Sequence, residues 1–170
     1  MLYVIESSKP LDRVAEDLQV AVARHKFGVL GVHDLKAKMA EKGVVLAHQC
    51  RIFEVCNPHQ AKKVLDANLA ISTALPCRIS VYEEGGITKL ATIKPTALIA
   101  LYATPELKAV AEDVETTLER IMGEAADKGS EARPRIREGG IQWRGRGSSR
   151  STFREDDRAG RRWPVDYGAG

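Results

Sequence analysis

Apolar residues recur along the N-terminal part of the chain in short runs whose spacing predicts alternating strands and helices. Leu2 to Glu6 and Val29 to His33 are apolar runs rich in strand-forming residues. Between them, apolar residues repeat at helical spacing as far as Phe27, and Gly28 is expected to end that helix with a positive φ angle. The pattern therefore predicts a strand, a helix and a second strand.

The middle of the chain predicts a short helix, a long strand and another helix. Leu35 to Lys42 is a short polar helical stretch, and the longest strand is expected from about Val44 to Val55. Asn57 and Pro58 are residue types preferred at the N-cap and in the first turn of a helix. A helix is therefore expected to begin at this Asn-Pro pair.

The region after Pro76 predicts a hairpin followed by helices. Cys77 to Tyr82 and Ile87 to Ile93 are strand-like runs separated by a glycine turn. Thr96 to Tyr102 fits a short helix better than a strand, and a long helix is expected from Thr104 to Gly123. This order of elements predicts an α+β fold, a two-layer sandwich with helices packed on one face of a mainly antiparallel sheet.

Amphipathic periodicity ends near Ala126, so residues 1–126 are expected to form the domain and residues 127–170 an Arg/Gly-rich tail. The tail carries a net charge of +4, whereas the preceding residues carry −1. Isolated apolar residues cannot bury enough surface to order such a segment. Trp143 and Trp163 among arginines weakly favour nucleic-acid binding, and the abrupt change in composition equally fits an out-of-frame or vector-derived, non-native segment.

Apolar run lengths, the N-terminal residues and the number of cysteines indicate the cellular compartment of the protein. No apolar run approaches the roughly 18 residues needed to span a bilayer, and the N-terminus lacks the pattern of a secretion signal. Three cysteines, an odd number, argue against a disulfide framework. A cytoplasmic protein with reduced thiols and no membrane partner is therefore expected.

Two short motifs carry a resemblance to a known family. Glu54-Val55-Cys56-Asn57-Pro58 occurs together with Leu75-Pro76-Cys77-Arg78, and the Val32-His33-Asp34-Leu35 run precedes both. In these motifs and their spacing the chain resembles domain-of-unknown-function family 302. The resemblance implies a small α+β domain, found mostly in bacteria and archaea, that self-associates as a homodimer. It implies no activity and no catalytic residues.

Cys56 and Cys77 are the candidate reactive thiols. Cys56 precedes a predicted helix N-terminus, where the helix dipole and free N–H groups favour a thiolate and lower its pKa. The alternative is that Cys56 is a small buried residue at a strand-to-helix corner. Cys77 is expected on the core face of its strand, and it can pair with Cys56 only if the two strands are neighbours.

Other polar groups give weaker hypotheses. His33 and Asp34 are candidate ligand-site residues, in which the carboxylate orients an imidazole, although Asp34 fits equally well as a helix cap. His48, Cys50, Cys56 and His59 do not match metal-site spacing, because a regular strand separates the two pairs. No metal and no cofactor are therefore expected.

The sequence lacks a phosphate loop, a dinucleotide-binding glycine pattern, a nucleophile elbow and a paired-histidine zinc helix. The first functional hypothesis is therefore a homodimeric module that binds a small ligand or partner between its sheet and its helices. The competing hypothesis is redox or sulfur-transfer chemistry, with Cys56 as the attacking thiolate and Cys77 as the resolving thiol. Whether the protein is an enzyme stays open at this point.

Overall fold

Five strands form one antiparallel sheet in the computed structural model, which describes residues 1–102 and 104–127. The strands are β1 (Leu2–Ser7), β2 (Gly28–Asp34), β3 (Cys50–Cys56), β4 (Cys77–Glu84) and β5 (Ile87–Ile93). They pair in the order β1-β5-β4-β3-β2, and every neighbouring pair is antiparallel. The N-terminal strand and the second strand are therefore the two edges.

Helices pack against the sheet. They are α1 (Leu11–Arg24), α2 (Leu35–Ala40), α3 (Pro58–Ala67), α4 (Pro95–Ile99) and α5 (Lys108–Ala126), with 3₁₀ segments at Leu69–Ala74, Ala100–Tyr102 and Pro105–Leu107. Within the described ranges, none of these helices has both the length and the apolar content that crossing a bilayer requires. The α+β fold predicted from the sequence is confirmed.

The hydrophobic core lies between the sheet and the long helices α1 and α5. Alternating positions of the central strands point to this layer, as the two-residue period of a strand requires. The fully buried side chains include Leu18, Phe53, Ile79, Val81, Leu90, Leu118, Ile121 and Met122. A smaller cluster of Val64, Ile71 and Leu107 lies beside it under the 3₁₀ segments.

The opposite face of the sheet is open and partly apolar. The strand register brings Leu2 beside Ile93 and Val4 beside Ala91. We call the three exposed residues Leu2, Val4 and Ile93 the apolar sheet patch. Leu2, Val4 and Ile93 are 60%, 43% and 49% exposed. An antiparallel sheet with one solvated face normally alternates apolar and polar residues, and β1 and β5 depart from that pattern here.

The long strand predicted from Val44 was wrong at its start, because β3 begins only at Cys50. Its neighbour β2 ends where Asp34 pairs with Arg51, since α2 starts at the next residue. Residues before Cys50 therefore have no β2 partner, and Val45 in that stretch is 92% exposed. Strand-like composition alone does not form a strand without a partner.

Two predicted helix ends were also wrong. Helix α1 ends at Arg24, and the positive φ angle after it belongs to Lys26, whereas Gly28 is the first residue of β2. Gly123 lies inside α5, which continues to Ala126. The last turn of α5 buries Ala125 and Ala126, so packing extends the helix past its glycine.

The predicted tail over residues 127–170 lies outside the described residues, apart from Asp127. That residue directly follows the last residue of α5, and its backbone N–H donates to the Gly123 carbonyl. Helix α5 ends at Ala126, and the domain boundary predicted near that residue stays a prediction. The proposed character of the tail stays a prediction.

Candidate functional site

A cavity lies at the end of the sheet where β3 leads into α3. Asn57 starts that helix, because its side-chain Oδ1 accepts the backbone N–H groups of His59 and Gln60 at 3.0 and 3.1 Å. Pro58 occupies the first turn, where its missing N–H costs no hydrogen bond. The sequence prediction of this helix start is confirmed, and the start places α3 along one side of the cavity.

The cavity has a volume of about 60 Å³ and a mostly apolar wall. Its lining comes from the ends of β3 and β4, from α3, α4 and α5, and from the 3₁₀ segment Leu69–Ala74. No charged side chain lines it within the described part of the chain. The lining residues are Phe27, Val55, Cys56, Asn57, Gln60, Ala61, Val64, Ile71, Ala74, Leu75, Cys77, Pro95, Leu98, Ile99, Val110, Ala111 and Val114.

Both candidate thiols line this one cavity. The strands β3 and β4 are neighbours, and Val55 is the direct cross-strand partner of Cys77. Strand alternation places Cys56, the next residue, on the opposite face from Val55 and Cys77. A disulfide requires two Cβ atoms that point toward each other, so this register disfavours one between Cys56 and Cys77. Both cysteines are free thiols.

The pKa values of the Cys56 and Cys77 thiols bear on whether either one can react as a thiolate. Partial burial raises the pKa of the Cys56 thiol instead of lowering it. Burial, and then the neighbouring Cys56, raise the pKa of the Cys77 thiol from 9.0 to about 11. Burial therefore favours the protonated thiol at this position, in line with the alternative of a small buried residue, and the reactive-thiol hypothesis for Cys56 stays a prediction.

Gln60 is the polar residue of the wall that sequence reasoning missed. Its amide Nε2 donates to Oδ2 of Asp113 on α5 at 2.7 Å. Its amide Oε1 is buried and has no hydrogen-bond partner among residues 1–102 and 104–127. Gln60 lies four residues before the buried Val64, on the apolar stripe of α3, and a polar residue at that spacing was the available signal.

Helix α4 closes one side of the cavity and is held by a partly buried carboxylate. Glu115 of α5 accepts hydrogen bonds from the Lys94 ammonium at 2.7 Å and from the Thr96 backbone N–H at 3.2 Å. Partial burial opposes ionisation of Glu115, and these hydrogen bonds outweigh it and hold the pKa of Glu115 below its ordinary value. The hydrogen bond to Glu115 raises the pKa of Lys94.

His33 and Asp34 lie on β2, away from the cavity wall, and their side chains have different partners. Asp34 Oδ1 accepts the Ala37 backbone N–H at 2.9 Å and caps α2. That hydrogen bond lowers the pKa of Asp34. His33 Nε2 lies 3.5 Å from a carboxylate oxygen of Glu54. The structure therefore does not bring the pair together as one site, and the capping alternative for Asp34 is confirmed.

The third cysteine lies apart from the other two. Cys50 begins β3, at the opposite end from Cys56, and its sulfur lies 3.7 Å from the Ser80 hydroxyl. His48 is near that end, and His59 lies on α3 at the other. Across the described ranges, no group of three or more His, Cys, Asp or Glu side chains is arranged to hold a metal ion.

Comparisons with known proteins place this geometry in a family. The family described as "Domain of unknown function DUF302" matches residues 3–125. The crystal structure of an uncharacterized conserved protein DUF302 from Bacillus stearothermophilus is 35% identical, with a TM-score of 0.70 over 73% of this chain and 97% of that one. No curated protein sequence matches the chain significantly. The chain therefore belongs to the DUF302 family, as its Cys-Asn-Pro and Leu-Pro-Cys motifs predicted.

Proposed function

We propose that the domain is a small-molecule-binding module and that the cavity beside Cys56 and Cys77 is its binding site. The observation that carries the proposal is the wall itself, which is apolar, concave and free of charged side chains within the described residues. Small-molecule sites have this character, with a few polar groups that orient the ligand, and the volume of about 60 Å³ limits this one to a ligand of a few non-hydrogen atoms. A charged group would lose its hydration in such a wall without a partner, so the ligand's buried part is uncharged.

The thiol-transfer alternative has one supporting observation, the shared cavity of the two cysteines. Two observations oppose it. Burial raises the pKa of both thiols, and the register places Cys56 and Cys77 on opposite faces of neighbouring strands. An attacking thiolate needs the opposite environment, with nearby cations or a solvated helix N-terminus. Ligand binding is therefore the function that the geometry supports better.

Ala61→Leu is expected to abolish ligand binding while preserving the fold. Ala61 lies on α3 in the cavity wall, and three added carbon atoms occupy the space of the ligand. A panel of small uncharged metabolites is first screened for those that raise the melting temperature of the full chain. Every compound that stabilises the unaltered protein is then tested against the variant, and the shift is expected to disappear.

The matched control is Ala67→Leu, which makes the same change at an exposed position of the same helix. The control is expected to bind like the unaltered protein. A compound that still stabilises Ala61→Leu binds outside the cavity and contradicts the proposed site. A panel without any stabilising compound contradicts the proposed function.

We further propose that two copies pair through the open face of the sheet. The apolar sheet patch supports this, since exposed contiguous apolar surface is typical of interaction sites. The whole open face, five strands about 4.8 Å apart and about 20 Å long, presents roughly 500 Å² per copy, and beyond the patch it carries the ion pairs Arg78–Glu54 and Lys89–Glu6. Two such faces bury roughly 1,000 Å² together, which is the lower bound for a specific interface. The family resemblance implies a homodimer without indicating which face it uses.

Ile93→Glu is expected to convert the proposed dimer into a monomer. A carboxylate in the apolar sheet patch would face another carboxylate or apolar surface across the two-fold axis. Sedimentation equilibrium at micromolar concentrations measures the change. Val20→Glu is the control, because Val20 is a similarly exposed aliphatic residue on α1. The proposal fails if the unaltered chain sediments as a monomer, or if both variants dissociate alike.

A further inference from the structure

The amide of Gln60 gives the cavity wall a directional polar group. The hydrogen-bond partner of the amide fixes which of its two ends faces which way. Only the Nε2 end can donate, and it lies 2.7 Å from a carboxylate oxygen of Asp113. The other end, Oε1, must therefore face away from Asp113 as a hydrogen-bond acceptor.

The acceptor is unsatisfied in the described structure. Gln60 Oε1 is buried from solvent and has no hydrogen-bond partner in the ranges described, although Gln60 itself lines the cavity. A buried carbonyl without a donor is unfavourable, and such groups are uncommon in folded proteins. The remaining wall offers it little, since most lining side chains are apolar and Asn57 already caps α3 and donates to the Lys26 carbonyl at 3.2 Å.

We infer that the ligand is an uncharged apolar molecule carrying one hydrogen-bond donor, a hydroxyl or an amide N–H, that pairs with Gln60 Oε1. This inference rests on the proposed function of the cavity. Asp113 is a positioning residue, because its carboxylate holds the Nε2 end of the amide and so presents the acceptor end. A ligand of the same size without a donor would leave the Gln60 carbonyl unpaired and bind more weakly.

Two constitutional isomers test the inference directly. n-Butanol and methyl propyl ether contain the same atoms, and only the alcohol donates a hydrogen bond. Binding is measured by titration of the full-length protein, followed in the methyl NMR signals of Val64, Ile71 and Val110 in the cavity wall. The alcohol is expected to bind about fivefold more tightly than the ether, the ratio that corresponds to one neutral hydrogen bond.

Gln60→Met retains the length of the side chain and removes the amide. In that variant the two isomers are expected to bind equally, and the melting temperature is expected to stay the same or rise, because a buried unpaired carbonyl is lost. Asp113→Ala changes an exposed residue and frees the Gln60 amide to rotate. Its Nε2 can then donate to the ether oxygen, so the preference for the alcohol is expected to shrink.

The outcomes separate the two proposals. If both isomers bind the unaltered protein equally, the donor requirement is overturned and the cavity remains a binding site. If neither isomer perturbs the wall methyl groups, the proposed function fails together with the inference. If Gln60→Met does not fold, Asp113→Ala decides, and an unchanged preference for the alcohol in that variant overturns the role of the oriented amide.

Discussion

Alkylation of Cys77 at pH 7 is expected to be at least about tenfold slower than alkylation of a free cysteine. The thiolate is the reacting form, and a pKa of about 11 leaves only ~0.01% of the thiol ionised, roughly a hundredth of the fraction at pKa 9.0. The greater intrinsic nucleophilicity of a more basic thiolate recovers about tenfold of this loss. Restricted access in the cavity slows the reaction further.

The measurement uses the Cys50→Ser, Cys56→Ser double variant, in which Cys77 is the only thiol. The rate with iodoacetamide is expected to rise about tenfold per pH unit until the pH nears the Cys77 pKa, which burial keeps above 9.0 although the contribution of Cys56 is lost in this variant. A single-thiol variant that retains Cys56 serves as the comparison. The contrary result is that either cysteine reacts faster than free cysteine at pH 7, with a rate that levels off below pH 8. That result would show an activated thiol in the cavity and would support the redox alternative.

The raised pKa of Cys77 also makes the free energy of unfolding depend on pH. The folded state keeps the Cys77 proton to a higher pH than the unfolded state does, so stability falls as the pH rises through the interval from 9.0 to about 11. Below that interval both states are protonated and the contribution is fully present. The complete loss is roughly 2–3 kcal/mol. Cys77→Ala is expected to lack this part of the alkaline decrease in the free energy of unfolding.

Local sequence signals accounted for much of the fold. The hairpin of β4 and β5 was predictable because Gly85 and Gly86 both have the positive φ angles that its tight turn requires. The start of α3 was predictable because Asn57 caps the helix within its own first turn. These features depend on contacts between residues close in sequence, so a short stretch of sequence is enough to predict them.

The predictions that were wrong concern features that depend on residues distant in sequence. The first residue of β3 is set by its pairing with Tyr82 of β4, one residue beyond the last β2 pair, and not by the strand-like composition of residues 44–49. Gly123 stays helical because α5 packs on the core beyond it, where Ala126 also accepts a hydrogen bond from Ser7 at 2.7 Å. Tertiary packing overrides the weak local preference in both cases.

The candidate site was predictable only in part. The motifs identified Cys56 and Cys77, and the structure places both in one cavity wall. The opposite wall comes from α4 and α5, and the helical spacing of Val110 and Val114 is the same for a core stripe and for a cavity lining. Periodicity shows that a side chain faces inward. It does not show whether another side chain fills the space in front of it.

Ile71→Ala is expected to lower the free energy of unfolding by about 2–5 kcal/mol. Ile71 is 1% exposed and contributes both to the cavity wall and to the cluster with Val64 and Leu107. Its removal deletes buried methyl groups and enlarges a space that is already incompletely filled. Urea unfolding measures the loss, and Leu69→Ala in the same 3₁₀ segment is the matched control. Leu69 is 75% exposed, so its change is expected to stay within about 0.5 kcal/mol.

The size of the loss distinguishes two states of the cavity wall. If neighbouring side chains collapse into the vacated space, the loss of free energy of unfolding lies toward the lower end of the range of about 2–5 kcal/mol. If the wall is rigid, the loss lies toward the upper end. A rigid, enlarged cavity should also accept a longer alcohol than the unaltered protein does, and the same NMR titration measures that change. A loss within about 0.5 kcal/mol, no larger than that of Leu69→Ala, would mean that the segment Leu69–Ala74 does not pack against α3 and α4. The cavity would then lack one of its walls.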